Sequence, residues 1–312
     1  KKGYAYFMEE DFDNAAKSFF EIKDVDTKYT ETARYYYAHI SYQEKKYESA
    51  LKTCQSLEKS AKFGPIVPYY IIQIYYLQKK YNDIIVYAPP LLSNAMPKRA
   101  SEIARILGEA FYHKKQYKNA IPYLKRYQKE KPYEATREEK YQLGFAYFKR
   151  DSSKLAIDWL KKSITKSDSL SQIAHYHMAE CYLKLDNKKY AGTSFRQASQ
   201  MDFDPEIKED ALLSYAKIAY ELSYHPYNDA IIAFEEFINT YPNSEKLKNA
   251  YTFLVTVYFT TKNYKAALNS LENINKLDPQ LQEAYQKIAL YRGIELFNNG
   301  KYAEAITNFN KS

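Results

Sequence analysis

Leu107-Gly108-Glu109-Ala110-Phe111-Tyr112, followed by Tyr117-Lys118-Asn119-Ala120, Leu124 and Pro132, is the stretch that decides the fold. Wound at helical spacing, Ile103, Leu107, Ala110 and Phe111 form one apolar stripe. Tyr117, Ala120, Leu124 and Tyr127 form the face of a second helix, and the polar His113-Lys114-Lys115-Gln116 between them reads as a turn. Small Gly108 and Ala120 let the two helices close on each other, while Phe111 and Leu124 fill the space beside them. Glycine inside a helix costs about 1 kcal/mol relative to alanine, so its use there signals a close backbone approach. Neither helix can hide its stripe alone, and such a hairpin therefore needs neighbours.

The same pattern runs through the chain. An aromatic residue, then Ala or Ile three positions on, then a large apolar residue four further, reads Phe12/Ala15/Phe19, Tyr47/Ala50/Cys54, Tyr81/Ile84/Ala88 and Tyr117/Ala120/Leu124. It weakens at Ser153/Ala156/Leu160 and Lys188/Ala191/Phe195 and returns at Tyr227/Ala230/Phe234, Tyr264/Ala267/Leu271 and Tyr302/Ala305/Phe309. The central residues lie 35, 34, 36, 36, 35, 39, 37 and 38 positions apart, and the extra residues are expected in turns, where they do not rotate an apolar face. Twelve positions before most of these centres stands a small or apolar residue: Gly3, Ala38, Ile72, Gly108, Gly144, Ala179, Val255 and Gly293. In the seventh unit Ala216 is fourteen ahead, which places an insertion near Tyr224-His225-Pro226.

With its small/large/small order and closing prolines (Pro132, Pro242 and Pro279), the chain resembles the tetratricopeptide-repeat family. The resemblance implies an all-α, right-handed α-solenoid of about nine helix–turn–helix hairpins. One array over 1–312 is expected, with repeats at roughly 1–29, 30–63, 64–99, 100–135, 136–170, 171–207, 208–246, 247–281 and 282–312. Pro89-Pro90 are expected to kink or end the second helix of the third repeat, and Gly64-Pro65-Ile66-Val67-Pro68 to start its first helix late. A bend is therefore expected near 60–92.

Composition agrees with helices. Only 7 Gly and 11 Pro occur in 312 residues, too few for a turn-rich β fold. The 35 tyrosines suit half-buried positions in thin helical layers. Two cysteines, Cys54 and Cys181, fall four repeats apart and argue against a disulfide framework. No run of eighteen apolar residues is present. Lys1-Lys2-Gly3-Tyr4 at one end and a helical pattern running to Ser312 at the other suggest a piece of a longer protein.

Catalytic chemistry finds no constellation. His175-x-His177-x-x-x-Cys181 has metal-like spacing, but Cys181 sits at an inward packing position, and a packing thiol beside surface histidines is the simpler reading. Glu9-Glu10, Glu138-Glu139 and Glu235-Glu236 read as solvated carboxylates. Neither a phosphate-cradling glycine loop nor a nucleophile elbow appears, so no enzyme, cofactor or metal is expected.

The resemblance implies that the first helix of each repeat lines a concave channel. Its side chains would include Tyr35, Tyr42, Tyr69, Tyr76, Arg105, Tyr112, Tyr141, Phe148 and Tyr176, the expected partner-binding residues. Tyrosine offers contact area and a hydroxyl at little entropic cost, which suits a peptide or partner protein, although the same residues serve packing between hairpins. The Lys/Asn set with which some family members hold a C-terminal carboxylate is missing from Tyr4, His39, Gln73, Glu109, Phe145 and Glu180.

With a net charge of +8, a basic edge is also expected at the turns: Lys45, Lys46, Lys79, Lys80, Lys114, Lys115, Lys149, Arg150, Lys188 and Lys189. The primary expectation is a protein-interaction scaffold. The alternatives are a binder of nucleic acid or an anionic surface through that edge, and a regulatory arm of a larger enzyme or sensor. The segment Phe234–Ser244, FEEFINTYPNS, resembles repeats of bacterial cell-envelope assembly proteins and points to an envelope or periplasmic location, though cytoplasmic repeats carry the same short motif.

Overall fold

Each repeat motif marks the place where one helix ends and the next begins. The computed structural model describes residues 1–222, 228–274, 277 and 279–312, and among them are eighteen α-helices and no strand. The helices follow the chain as two compact units, Lys1–Arg150 and Asp151–Ser312. The fold is an all-α solenoid of stacked helix pairs.

The first unit holds α1 (Lys2–Met8), α2 (Phe12–Ile22), α3 (Thr30–Gln43), α4 (Tyr47–Gln55), α5 (Val67–Leu77), α6 (Tyr81–Asn94), α7 (Pro97–His113), α8 (Tyr117–Glu130) and α9 (Arg137–Phe148). The second holds α10 (Ser153–Ser163), α11 (Ser169–Lys184), α12 (Lys188–Ser199), α13 (Pro205–Leu222), α14 (Asn228–Thr240), α15 (Leu247–Thr260), α16 (Tyr264–Glu272), α17 (Pro279–Asn298) and α18 (Tyr302–Lys311). Within each unit, consecutive helices pack on one another. Odd-numbered helices also touch the next odd one, as α5 on α7, α7 on α9, α11 on α13 and α13 on α15.

The small positions are where paired helices meet. A Cβ added to Gly108 of α7 would lie 2.9 Å from Leu124 Cγ and 3.0 Å from the Leu124 backbone nitrogen of α8. Ala120 and Leu124 are buried, as are the equivalent Ala15, Ala50, Ala156, Ala191, Ala230, Ala267 and Ala305. Burying a side chain such as Leu124 contributes about 1.5–3 kcal/mol, which a lone helix cannot gain.

The turns share one construction. Glu10, Lys45, Lys79, Lys115, Asp151, Asp186, Lys262 and Gly300 all have positive φ, from 53° to 72°. At Lys115 the amide donates to the Tyr112 carbonyl (2.8 Å), and the amide of Gln116 donates back to Phe111 (2.9 Å). This is a Schellman motif, which satisfies carbonyls left open at a helix end. The same two bonds recur at Lys45/Lys46, Lys79/Lys80, Asp186/Asn187, Lys262/Asn263 and Gly300/Lys301.

An aromatic clasp closes five of these turns. Phe7 meets Phe12, Tyr42 meets Tyr47, Tyr112 meets Tyr117, Phe259 meets Tyr264 and Phe297 meets Tyr302, with ring centroids 5.3–6.2 Å apart. The motif aromatic is thus a turn-closing group. Tyr227 and the insertion Tyr224-His225-Pro226 lie outside the described residues.

One expectation is corrected. Pro89-Pro90 do not end their helix early, because α6 continues to Asn94. The two prolines leave the carbonyls of Ile85 and Val86 without their helical amides, yet the helix runs on. Ser93 Oγ and Asn94 Nδ2 also donate to the carbonyls of Pro89 and Pro90, at 3.2 Å each.

Gly108→Ala is expected to overpack the α7–α8 contact and lower stability by about 1–3 kcal/mol, read from thermal unfolding. Lys115→Gly is expected to do the opposite. Relief of about 1–2 kcal/mol of left-handed strain outweighs about 0.5–1 kcal/mol of added chain entropy, and the denaturant midpoint should rise.

Candidate functional site

In the first unit, side chains of α3, α5 and α7 converge on a groove of ≈ 740 Å³. It is lined by Tyr35, His39 and Tyr42 from α3, by Tyr69, Tyr70 and Gln73 from α5, and by Arg99 and Glu102 from α7, over a floor that includes Ile72, Ile103 and Ile106. Helical spacing explains the convergence, since residues three and four apart share a face and each odd helix lies beside the next.

Hydrogen bonds tie α3 to α5. The Tyr42 hydroxyl donates to Gln73 Oε1 (2.9 Å), and the Tyr70 hydroxyl bonds with His39 Nδ1 (3.0 Å). Tyr70 stands edge-on to Tyr42 and Tyr35, and Tyr35 stacks on Phe63 at 4.6 Å. Burial raises the Tyr42 and Tyr70 phenols and lowers His39, so at neutral pH all three are uncharged donors or acceptors. The Arg99 guanidinium sits 4.1 Å from the Tyr69 ring centroid, a cation–π contact.

A charged cluster borders the groove. Arg105 bonds Glu102, reaches Glu109 at 2.7 Å and lies 3.7 Å from Glu139. The Tyr76 hydroxyl donates to Glu109 Oε2 at 2.6 Å, and burial together with that bond pushes the phenol up to about 12. Burial acts against charge on Arg105, but its bonds and attraction to Glu102 and Glu109 outweigh this and hold it protonated. Glu139 is raised by burial, although the Thr136 amide and Arg105 oppose this.

The structure therefore brings together Tyr35, Tyr42, Tyr69 and, at the border, Tyr76 and Arg105. Tyr112, Tyr141 and Phe148 lie elsewhere, in rings gathered about Phe145, with Phe148 itself buried. Tyr176, in the second unit, donates to Asp210 at 2.6 Å and packs edge-on against Phe195. Tyr70 and Arg99 were missed in the sequence reading. Arg99 lies outside the repeat frame because α7 begins at Pro97, before the stripe that identifies it.

The basic edge has a local cause. Lys45, Lys79 and Lys115 are the left-handed turn residues at the negative ends of α3, α5 and α7. Lys46 pairs with Glu44, Lys80 with Glu48 and Lys188 with Glu221, at 2.8–2.9 Å. Lys149 lies 5.0 Å from the Phe145 and Phe148 rings, while Lys114, Arg150 and Lys189 are exposed.

Among the described residues, no group of three His, Cys, Asp or Glu is placed to hold a metal. Cys181 is fully buried, with its thiol pushed up to about 11 by burial. His175 is buried rather than on the surface, and His177 bonds Glu180 at 2.7 Å. Among the described residues, no helix is long and apolar enough to cross a membrane.

Two family models match the sequence: anaphase-promoting complex, cyclosome, subunit 3, over residues 113–198, and tetratricopeptide repeat, over 210–244. The C-terminal part of a TPR repeat-containing protein from Cytophaga hutchinsonii is structurally similar, with a TM-score of 0.53 and 19% identity over 80% of this chain and 98% of that one. MamA from Desulfovibrio magneticus RS-1 (18% identity, 55% of this chain and 94% of that, TM-score 0.44) and apo RapI (14%, 99% and 94%, 0.46) are more distant. No curated protein matches the sequence.

Arg105→Met is expected to cost about 3–5 kcal/mol, because Glu109 is left buried without its cation, and adding Glu109→Gln should restore much of that in urea unfolding. Glu139 has a folded value above its ordinary 4.5, so its contribution favours folding below that pH and is lost as pH rises through the folded value. Glu139→Gln should flatten this part of the stability–pH curve.

Proposed function

The chain belongs to the tetratricopeptide-repeat proteins, and on that premise we propose that it is an interaction scaffold that seats a peptide or partner segment in the groove of α3, α5 and α7. Proteins of this fold serve as protein–protein interaction scaffolds. The carrying observation is the convergence of Tyr35, Tyr42, Tyr69, Tyr70, Gln73 and Arg99 around ≈ 740 Å³ of open volume. Rigid aromatic walls with a few fixed polar groups suit recognition of an extended or helical segment.

A groove of the second unit, between α15 and α17, is smaller at ≈ 290 Å³, and Phe259 is the one aromatic among its described lining residues. The main grip is therefore assigned to the first unit. The segment Phe234–Ser244 supports a place in bacterial cell-envelope assembly.

A photocrosslinking residue at Gln73, inside the groove, is expected to trap a partner segment that the same residue at exposed Val86 does not. Tyr35→Ala/Tyr69→Ala should abolish the adduct while leaving the circular dichroism spectrum unchanged. An equal adduct at both positions, or one indifferent to the double substitution, would contradict the groove assignment.

A further inference from the structure

Charge is divided unevenly between the two units. Lys1–Arg150 contains 27 Lys and Arg against 18 Asp and Glu, and Asp151–Ser312 contains 19 against 20. The whole excess therefore lies in the first unit, and much of it lies on one helix face.

The face of α8 formed by Ala120, Leu124, Tyr127 and Gln128 is buried. Its opposite face exposes Lys118, Lys125, Arg126 and Lys129, and the turn before it exposes Lys114 and Lys115. Arg126 pairs with Glu130 at 2.8 Å, and among the described residues none of the five lysines pairs with a carboxylate. The row extends over about 17 Å of helix and ends near Tyr133, which is fully exposed.

We propose that this lysine row is a docking surface for an anionic lipid bilayer. Charge complementarity carries the argument, and three features favour lipid over nucleic acid. Five of the six cations are lysines, point charges without the planar fork that matches phosphate bidentately. Their spacing along α8 is irregular, with neighbours at 118, 125, 126 and 129, and fluid headgroups gather at each ammonium without needing a register. Of the aromatics within the row's span, Tyr127 is buried, Tyr117 is held edge-on by Tyr112 and Tyr123 is stacked on Phe111, each at 5.7 Å, so the helix offers no platform on which bases could stack.

Because the apolar face of α8 is already covered by its own repeat, attachment is peripheral and salt-sensitive, with Tyr133 placed to sit at headgroup level. A scaffold held in this way would present its groove beside the membrane surface.

The test is co-sedimentation of the full chain with vesicles of phosphatidylcholine, with and without phosphatidylglycerol, at low and high salt. Binding to the anionic vesicles alone, lost at high salt, is expected. Lys118→Gln/Lys125→Gln/Lys129→Gln should weaken it about a hundredfold, roughly fivefold per lysine. A control triple in the second unit, Lys154→Gln/Lys161→Gln/Lys265→Gln, should leave it unchanged. Absence of binding to anionic vesicles at low salt would overturn the proposal, as would binding equally sensitive to both triples. Tighter binding to a DNA duplex, lost in the α8 triple, would reassign the row to nucleic acid.

Discussion

The contact on which the structure depends is the approach of two helices at a position too small to hold them apart. Gly108 leaves no room for a methyl group beside Leu124, and Ala120 is fully buried in the same hairpin. Such a contact buries one face of each helix and leaves the next repeat to cover what remains. Stability is then local and additive along the chain, and each hairpin is held by its nearest neighbours.

The turns show what this arrangement demands of the backbone. A sharp reversal between paired helices needs a left-handed residue, and the chain supplies it mostly with Lys, Asp or Glu rather than glycine. A non-glycine residue there carries strain, offset by the recovered hydrogen bonds and, at Glu10, Lys45, Lys115 and Lys262, by an aromatic clasp beside it. A lysine there also meets the negative end of a helix, which gives the basic edge a structural origin before any partner is invoked. On α8 only Lys129, in the last turn, shares that cause, while Lys118 and Lys125 face away from the hairpin contacts.

Much of the fold was legible in the sequence because helix pairing imposes a period that residue size records directly. The buried alanines from Ala15 to Ala305 mark that period. The site was legible only in part. Tyr35, Tyr42 and Tyr69 follow from the repeat frame, but Tyr112 and Phe148 share that frame and are absorbed in packing around Phe145. Periodicity states which face a residue occupies and not whether a neighbouring ring covers it. Arg99 escaped for another reason, since it lies in the first turn of α7, before the apolar stripe begins. Of the kink or early end expected at Pro89-Pro90, the early end does not occur, since α6 tolerates two missing amides and continues to Asn94.

Hydrogen exchange on the Gly108→Ala protein tests the nearest-neighbour account most directly. Protection should fall in α7 and α8, fall less in α6 and α9, and stay at the wild-type level from α13 to α18. A uniform loss across all eighteen helices, or none in α7 and α8, would contradict it.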